Sequence, residues 1–206
     1  MRRIGFTVVI PLYNKALYIH KAIQSVLLQT HKAKELIIID DGSTDGGGQG
    51  LEELGNCIKV VRQQNAGGGA ARNLGIALAK EEWVALLDAD DFWDPEHLHE
   101  LSRIIASHPE ACLVATQFEQ IKYGSTPKRR YHAPGLIRQI DFFAESSRRL
   151  GCVWSSSSAV KKSVLSEVGG FGLTKTGEDT EFWARVALHF PIAISEAQTA
   201  FYVRGV

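Results

Sequence analysis

Trp83-Val84-Ala85-Leu86-Leu87-Asp88-Ala89-Asp90-Asp91 runs five apolar residues straight into a knot of three carboxylates. An unbroken apolar row of that length reads as a strand buried on both faces, the pattern of a parallel sheet covered by helices. Such a strand releases its acids at the carboxyl edge of the sheet, where open α/β folds bind ligands. Acids this close repel one another, so packing alone does not favour the cluster, and a bound cation would relieve the repulsion. A cation site is the first expectation.

Outward from this strand, the first half of the chain alternates strand and helix. Phe6 to Pro11 is apolar and β-branched, and Leu17 to Gln29 carries Ile19, Ile23, Val26 and Leu27 at helical spacing. Leu36-Ile37-Ile38-Ile39 is a second buried strand and Ile58 to Val61 a third, while Gly69 to Lys80, rich in alanine, predicts a helix leading into the strand at Val84. Repeated βαβ units imply an α/β fold with a Rossmann-like, mostly parallel sheet flanked by helices and right-handed crossovers.

Beyond Asp91 the pattern is less regular. Asp94-Pro95 opens a helix that runs to about Ser107, Ala111 to Gln117 is another strand, and residues 118–137 read as a hairpin or a loop. Ser155-Ser156-Ser157-Ser158 predicts a strand or a pocket wall, and Phe182, Trp183, Val186, Ala187 and Phe190 recur at helical spacing until Pro191 ends them. This half is expected to form a smaller, mixed region.

With 206 residues the chain suits one domain, and its 23 basic residues balance 23 acidic ones, leaving no global field to hold nucleic acid. The dense basic run Lys128-Arg129-Arg130, with Arg138 beyond it, reads as a solvated loop. Cys57, Cys112 and Cys152 are odd in number and lack a Cys-x-x-Cys pair, which argues against a disulfide framework or zinc site and suits a reducing compartment. Arg2 and Arg3 precede an apolar run that Pro11, Tyr13, Asn14 and Lys15 interrupt, so a first strand is expected there rather than a signal peptide. No stretch approaches the ~18 apolar residues of a membrane span. A cytoplasmic location follows as the expectation, with attachment to the inner membrane face left open.

Three further constellations carry chemistry. Asp40-Asp41-Gly42-Ser43-Thr44-Asp45 follows the second strand, where an aspartate can accept hydrogen bonds from a base or a ribose. Two rivals stand beside that reading: Asp41 or Ser43 capping the next helix, and a calcium loop built on Asp41, Ser43, Asp45, Gly46 and Glu52, which would need a helix before it. Asn65-Ala66-Gly67-Gly68-Gly69-Ala70-Ala71-Arg72-Asn73 is a glycine turn opening a helix, suited to bringing backbone N–H groups to phosphate, with Arg72 in reach of a diphosphate or a carboxylate. It matches neither Gly-x-Gly-x-x-Gly nor a Walker loop. Glu178 and Asp179 stand before the aromatic helix, either as helix-start charges or with a carboxylate serving as general base.

Taken together, these residues resemble family 2 of the nucleotide-sugar glycosyltransferases, which have the GT-A fold. The matching pieces are Val9-Ile10-Pro11-Leu12-Tyr13-Asn14, Gln29-Thr30, Ile39 through Asp45, Asn65 through Gly75, Asp88-Ala89-Asp90-Asp91, Gly169-Gly170-Phe171 and Glu178-Asp179, in the family's order. The resemblance implies a single domain over residues 1–206, with a nucleotide-binding half (1–95) and an acceptor-binding half (96–206). By it, Pro11, Tyr13, Asp40 and Asp41 serve the nucleotide, and Arg72 lies near the base or diphosphate. Asp88, Asp90 and Asp91 correspond to the Asp-x-Asp region that holds ribose and a divalent cation, manganese or magnesium, with Asp91 the foremost metal ligand and Asp90 the second. Asp179 matches the general base of inverting members, Glu178 is its acidic neighbour, and Trp154 falls where the sugar and acceptor site is shaped.

The implied donor is a uridine or thymidine diphosphate sugar and the implied acceptor a carbohydrate or a lipid-linked sugar, in cell-surface polysaccharide or glycolipid synthesis. The Gln/Arg-x-x-Arg-Trp motif of processive synthases is absent, which favours addition of one sugar. The family usually continues past Tyr202-Val203-Arg204, whereas this sequence stops at Val206. Two rivals remain at this stage: a nucleotidyltransferase, and a nucleotide-sugar-binding protein without turnover.

Overall fold

The computed structural model of the chain describes residues 4–127, 134–148, 151–173 and 176–205, so the N-terminal arginines and the run Lys128-Arg129-Arg130 lie outside the described residues. In chain order the elements are β1 (Phe6–Leu12), α1 (Ile19–Leu27), β2 (Glu35–Asp40), β3 (Ile58–Arg62), α2 (Gly68–Leu78), β4 (Trp83–Leu86), β5 (Phe92–Trp93) and α3 (His97–Ser107). Then come β6 (Leu113–Lys122), β7 (Ile137–Ile140), α4 (Phe142–Arg148), β8 (Ser158–Lys161), α5 (Val164–Val168), α6 (Glu178–His189) and β9 (Ile192–Arg204). Among the described residues nine strands form one sheet in the order β3-β2-β1-β4-β8-β6-β9-β5, with β7 also on β9.

The fold is a mixed α/β structure around that sheet. β3, β2, β1 and β4 pair in parallel, as the βαβ pattern predicts. From β8 onward the pairing changes: β8 runs antiparallel to both β4 and β6, β5 and β7 run antiparallel to β9, and β6 pairs with β9 in parallel across a register shift between Ala115 and Phe118.

Side-chain alternation along β1 explains why helices cover both faces. Phe6, Val8, Ile10 and Leu12 pack with Ile19, Ile23 and Val26 of α1 and Leu98, Leu101 and Ile104 of α3. Val9 points the other way and joins Ile37, Ile39, Ala71 and Ile76, with Phe182, Trp183 and Val186 of α6. Each aliphatic side chain removed from water in these layers contributes about 1.5–3 kcal/mol. Gly75 costs α2 helix propensity, yet a Cβ there would run into Val9 Cγ1, so the bare backbone is what lets α2 lie against β1.

Several elements differ from the sequence reading. α1 starts at Ile19 because Lys15 to Tyr18 form a turn in which the Lys15 carbonyl accepts the Tyr18 and Ile19 N–H groups. Residues 118–122, read as hairpin or loop, extend β6 because β9 lies beside them. β9 itself, with β5 and β7, has partners remote in sequence and went unread.

Candidate active site

The ends of β1, β2 and β4 lie side by side in the sheet, so the residues that follow them meet at one rim. There Pro11, Leu12, Tyr13, Lys15, Asp41, Gly68, Ala71, Asp88, Ala89 and Asp90 line a cleft of about 180 Å³. The loop after β1 is held by Asn14, which adopts φ 51, a conformation Asn tolerates better than most residues. Asn14 Oδ1 accepts the Thr44 N–H at 2.8 Å, and the Asn14 N–H donates to Ser43 Oγ at 3.1 Å. This lacing joins the loop after β1 to the loop after β2.

The two aspartates at the end of β2 have different roles. Asp40 is buried, accepts the Ser43 N–H at 2.8 Å, pairs with Arg62 at 3.5 Å, and is not among the residues lining the cleft. Asp41 does reach the cleft, and its oxygens accept from Gln63 Nε2 at 2.7 Å and from the Ala66 and Gly67 N–H groups at 2.8 and 2.9 Å. Two amides that the glycine turn was expected to offer to phosphate are therefore held by a carboxylate of the protein. Neither Asp41 nor Ser43 caps the helical turn Leu51–Leu54. The calcium-loop alternative loses its geometry as well, because Asp45 turns to the Ala16 and Gly47 N–H groups while Asp41 faces Gln63.

The acids after β4 also divide. Asp88 and Asp90 line the cleft and keep about a fifth of their side chains exposed, at 22% and 21%. Asp88 pairs with Arg72 at 2.6 Å and Asp90 with Lys15 at 2.7 Å. Asp91 is buried: Oδ2 accepts from Ser156 Oγ at 2.6 Å and Trp154 Nε1 at 3.4 Å, and Oδ1 accepts the Val203 N–H at 2.9 Å. Burial, with the charge of Asp88 next, pushes the Asp91 carboxyl up to about 7 against the pull of the Ser156 and Val203 hydrogen bonds. Asp91, expected as the foremost metal ligand, here accepts hydrogen bonds from three partners inside the protein. Both oxygens accept hydrogen bonds inside the protein, and the side chain fastens β9 and the serine run to the loop after β4.

Arg72 is the hub of the rim. It is buried, donates to Asp88 and, at 3.0 Å, to Glu178 Oε1, and its guanidinium lies 5.7 Å from the centre of the Phe171 ring. Burial works against its charge, but the pull of Asp88, Glu178 and Asp179 outweighs burial and holds its pKa above the ordinary arginine value. Of the two partners expected for Arg72, a diphosphate or a carboxylate, the structure shows carboxylates, and Arg72 ties the strand-end acids to the start of α6. Gly68 makes room for this pair, since a Cβ there would stand 3.2 Å from Arg72 Nη1.

Asp179 sits in the first turn of α6, where a carboxylate suits the helix dipole. Its Oδ2 accepts from Ser155 Oγ at 3.3 Å, and its Oδ1 accepts the Thr180 N–H at 2.7 Å. Ser155 adjoins Ser156, whose Oγ accepts the Asp88 N–H at 3.0 Å while donating to Asp91. Trp154 belongs to an aromatic group with Tyr202 and Phe118, at centroid distances of 4.6 and 5.7 Å. Hydrogen bonds thus connect the strand ends, the serine run and α6 around one rim.

Sequence reasoning missed Lys15, Gln63 and the Val203 N–H, and it read the serines as a wall without seeing the hub at Ser156. A lysine two residues after the Tyr13 that lines the cleft was a usable signal for the first. A backbone donor on an unread strand left none for Val203.

Residues 7–169 match the profile of the family described as Glycosyl transferase family 2. An uncharacterized glycosyltransferase of Nostoc sp. is 47% identical over 103 residues, which cover 48% of this chain and 31% of that protein. The putative teichuronic acid biosynthesis glycosyltransferase TuaG of Bacillus subtilis is 33% identical over 153 residues, covering 71% of this chain and 59% of that one. Among solved structures, S. aureus TarS 1-349 superposes with a TM-score of 0.78 at 22% identity, covering 97% of this chain and 60% of TarS 1-349. The same protein in complex with UDP-GlcNAc gives 0.78 at 22% identity. At that identity the likeness is one of fold, GT-A. The chain spans about a third of the Nostoc relative and under two thirds of TuaG and TarS 1-349. With a profile match that runs from the second residue of β1 to just past α5, the chain belongs to glycosyl transferase family 2.

Proposed function

We propose that this chain binds a nucleoside diphosphate sugar of the uridine or thymidine type and transfers its sugar, with inversion, to an acceptor hydroxyl in cell-surface polysaccharide or glycolipid synthesis. One observation carries the reading. Asp41, Asp88 and Asp90 line one cleft, and Arg72 joins that cleft to the segment bearing Glu178 and Asp179. The relatives agree in kind: TarS was solved with UDP and with UDP-GlcNAc, and TuaG is named for teichuronic acid biosynthesis. Among the described residues no helix is long and apolar enough to cross a membrane, and we place the reaction at the cytoplasmic face, where the donor would be at hand.

The residues at the cleft suit a hard divalent cation. Asp88 and Asp90 offer oxygen donors of the kind manganese and magnesium prefer, they face the cleft, and each already holds a cationic side chain. Among the described residues no three acidic, histidine or cysteine side chains form a ready cage, so diphosphate oxygens and water would complete the coordination. When bound, such a cation supplies Lewis-acid neutralisation of the charge that grows on the leaving diphosphate.

The rest of the chemistry belongs to the protein. Pro11 and Tyr13 form one wall of the nucleotide cleft, and Asp41 fixes the loop that forms another. Asp179 takes the acceptor hydroxyl proton as the acceptor oxygen bonds to the anomeric carbon and the bond to the diphosphate oxygen breaks. Ser155 aims Oδ2 of that carboxylate, and Glu178, through Arg72, fixes the start of α6 relative to the donor.

A thermal-shift series with nucleoside diphosphate sugars and manganese tests the reading, followed by assay of free sugar released without acceptor. A donor at 100 times its Kd should add about 2.7 kcal/mol of stability. Slow release of sugar should accompany the shift. A binding protein would show the shift alone, and a chain stabilised by no such donor in the presence of manganese would end the proposal.

A further inference from the structure

Two of the cleft-lining acids, Asp88 and Asp90, are paired with cations, but these partners differ in freedom. Arg72 is locked: its side chain is 8% exposed, and it bonds Glu178 as well as Asp88. Among the described residues, Lys15 has a fixed backbone but a single ion pair at its side chain. Asn14 is laced to Thr44, the Ala16 N–H donates to Asp45 at 2.8 Å, and the Lys15 carbonyl starts the turn into α1. The Lys15 side chain is 29% exposed, and its ammonium reaches Asp90 at 2.7 Å, with the Tyr18 ring centre at 5.5 Å. Fixed backbone and a four-carbon flexible stem allow the ammonium to move without disturbing the loop.

The geometry points to Lys15 as a resident counter-ion of Asp90 that yields to the divalent cation only when the nucleotide's diphosphate arrives. This rests on the nucleotide-sugar reading of the cleft and adds a residue and a binding order to it. Without ligand, Lys15 neutralises Asp90, whose charge also bears on the neighbouring Asp91. A divalent cation entering alone must displace the ammonium from Asp90 and then sit beside it, two unfavourable terms. A diphosphate removes both, because the displaced ammonium gains phosphate oxygens within the same cleft. Lys15 therefore makes cation and nucleotide bind cooperatively, and by linkage each tightens the other by the same factor.

Calorimetric titration of Mn2+ with and without UDP tests this on the chain and on Lys15→Met, with Lys15→Arg and Lys21→Met as controls. Lys21 lines the adjoining pocket that shares Asp90, but its ammonium lies 3.5 Å from the centre of the Phe92 ring. Lys15→Met should bind Mn2+ alone on the order of three- to tenfold more tightly, and the tightening by UDP should shrink by at least that factor. Lys15→Arg should keep the original cooperativity, and Lys21→Met should change Mn2+ affinity by less than about twofold. Unchanged Mn2+ affinity and cooperativity in Lys15→Met, or an equal effect from Lys21→Met, overturns the role of Lys15 while leaving the nucleotide reading intact. If the unaltered chain binds neither UDP nor Mn2+, both fall together.

Discussion

The strands β1 to β4 and the strands β5 to β9 share one sheet but are assembled by different rules. In the first group every neighbour pair is parallel, and the cleft-facing acids Asp41, Asp88 and Asp90 each follow the end of a strand. The second group mixes directions and reaches its partners over long stretches of chain. Its contributions to the rim arrive from three places: the serines before β8, the start of α6, and a backbone N–H of β9. The Arg72–Glu178 bond spans 106 residues and the Asp91–Val203 bond 112. In the proposed reaction the first group would supply charge for the ligand, and the second would supply the base; the second group's hydrogen bonds to Arg72 and Asp91 also hold the first group's loops in place.

That division is broken most sharply at Asp179. Asp179→Asn should lower transfer by about 10²- to 10⁴-fold, the usual contribution of a positioned base, while donor affinity stays within about twofold. Turnover measured beside donor titration separates the two quantities. Parallel loss of donor affinity would mean that the base-bearing segment is part of the nucleotide site, and the division would fail.

A smaller effect distinguishes the acids that hold the sheet from those that face the cleft. Asp91→Ala leaves the Val203 N–H and the Ser156 hydroxyl without their acceptor and should cost about 2–3 kcal/mol in denaturant unfolding. Donor affinity of the folded protein should change little. Asp90→Ala should do the reverse, removing manganese-dependent donor binding at a cost within about 1 kcal/mol of stability, as for a partly exposed ion pair. A stable Asp91→Ala protein that has lost manganese-dependent binding would return Asp91 to the role the sequence first suggested.

The same division explains what could be read from the sequence. Apolar runs such as Leu36 to Ile39 and Trp83 to Leu87 state their burial locally, and a parallel sheet fixes where their ends lie, so the rim acids could be placed before the fold was known. What each acid does there is decided by partners elsewhere. Asp90 and Asp91 are adjacent in sequence, yet one meets Lys15 at the cleft and the other meets Ser156 and Val203 in the interior. β9 has polar residues among its apolar ones, Ser195, Gln198 and Thr199, and becomes a strand because β6, β5 and β7 surround it. Pairings of that range leave no periodic mark on the chain.

His97 extends the comparison to pH. It is fully buried between α3 and β9, with Nδ1 2.8 Å from Thr199 Oγ1, its ring stacked on Trp93 at 4.3 Å, and Nε2 without a hydrogen-bond partner among the described residues. Burial lowers its pKa from 6.5 to about 3, so the folded chain keeps this imidazole neutral at pH values where the unfolded chain protonates it. Between those values the unfolded state binds the extra proton, and stability falls as pH falls. One unit below the unfolded pKa, at about pH 5.5, the loss relative to neutral pH is about 1.4 kcal/mol. His97→Gln removes the titrating group, so its unfolding free energy should lack that part of the slope whatever its stability at pH 7. Denaturant melts of both proteins at pH 7.5 and 5.5 give the difference directly. Equal slopes would mean that the imidazole gains its proton inside the fold, and the seam between α3 and β9 would then be wetter than its packing implies.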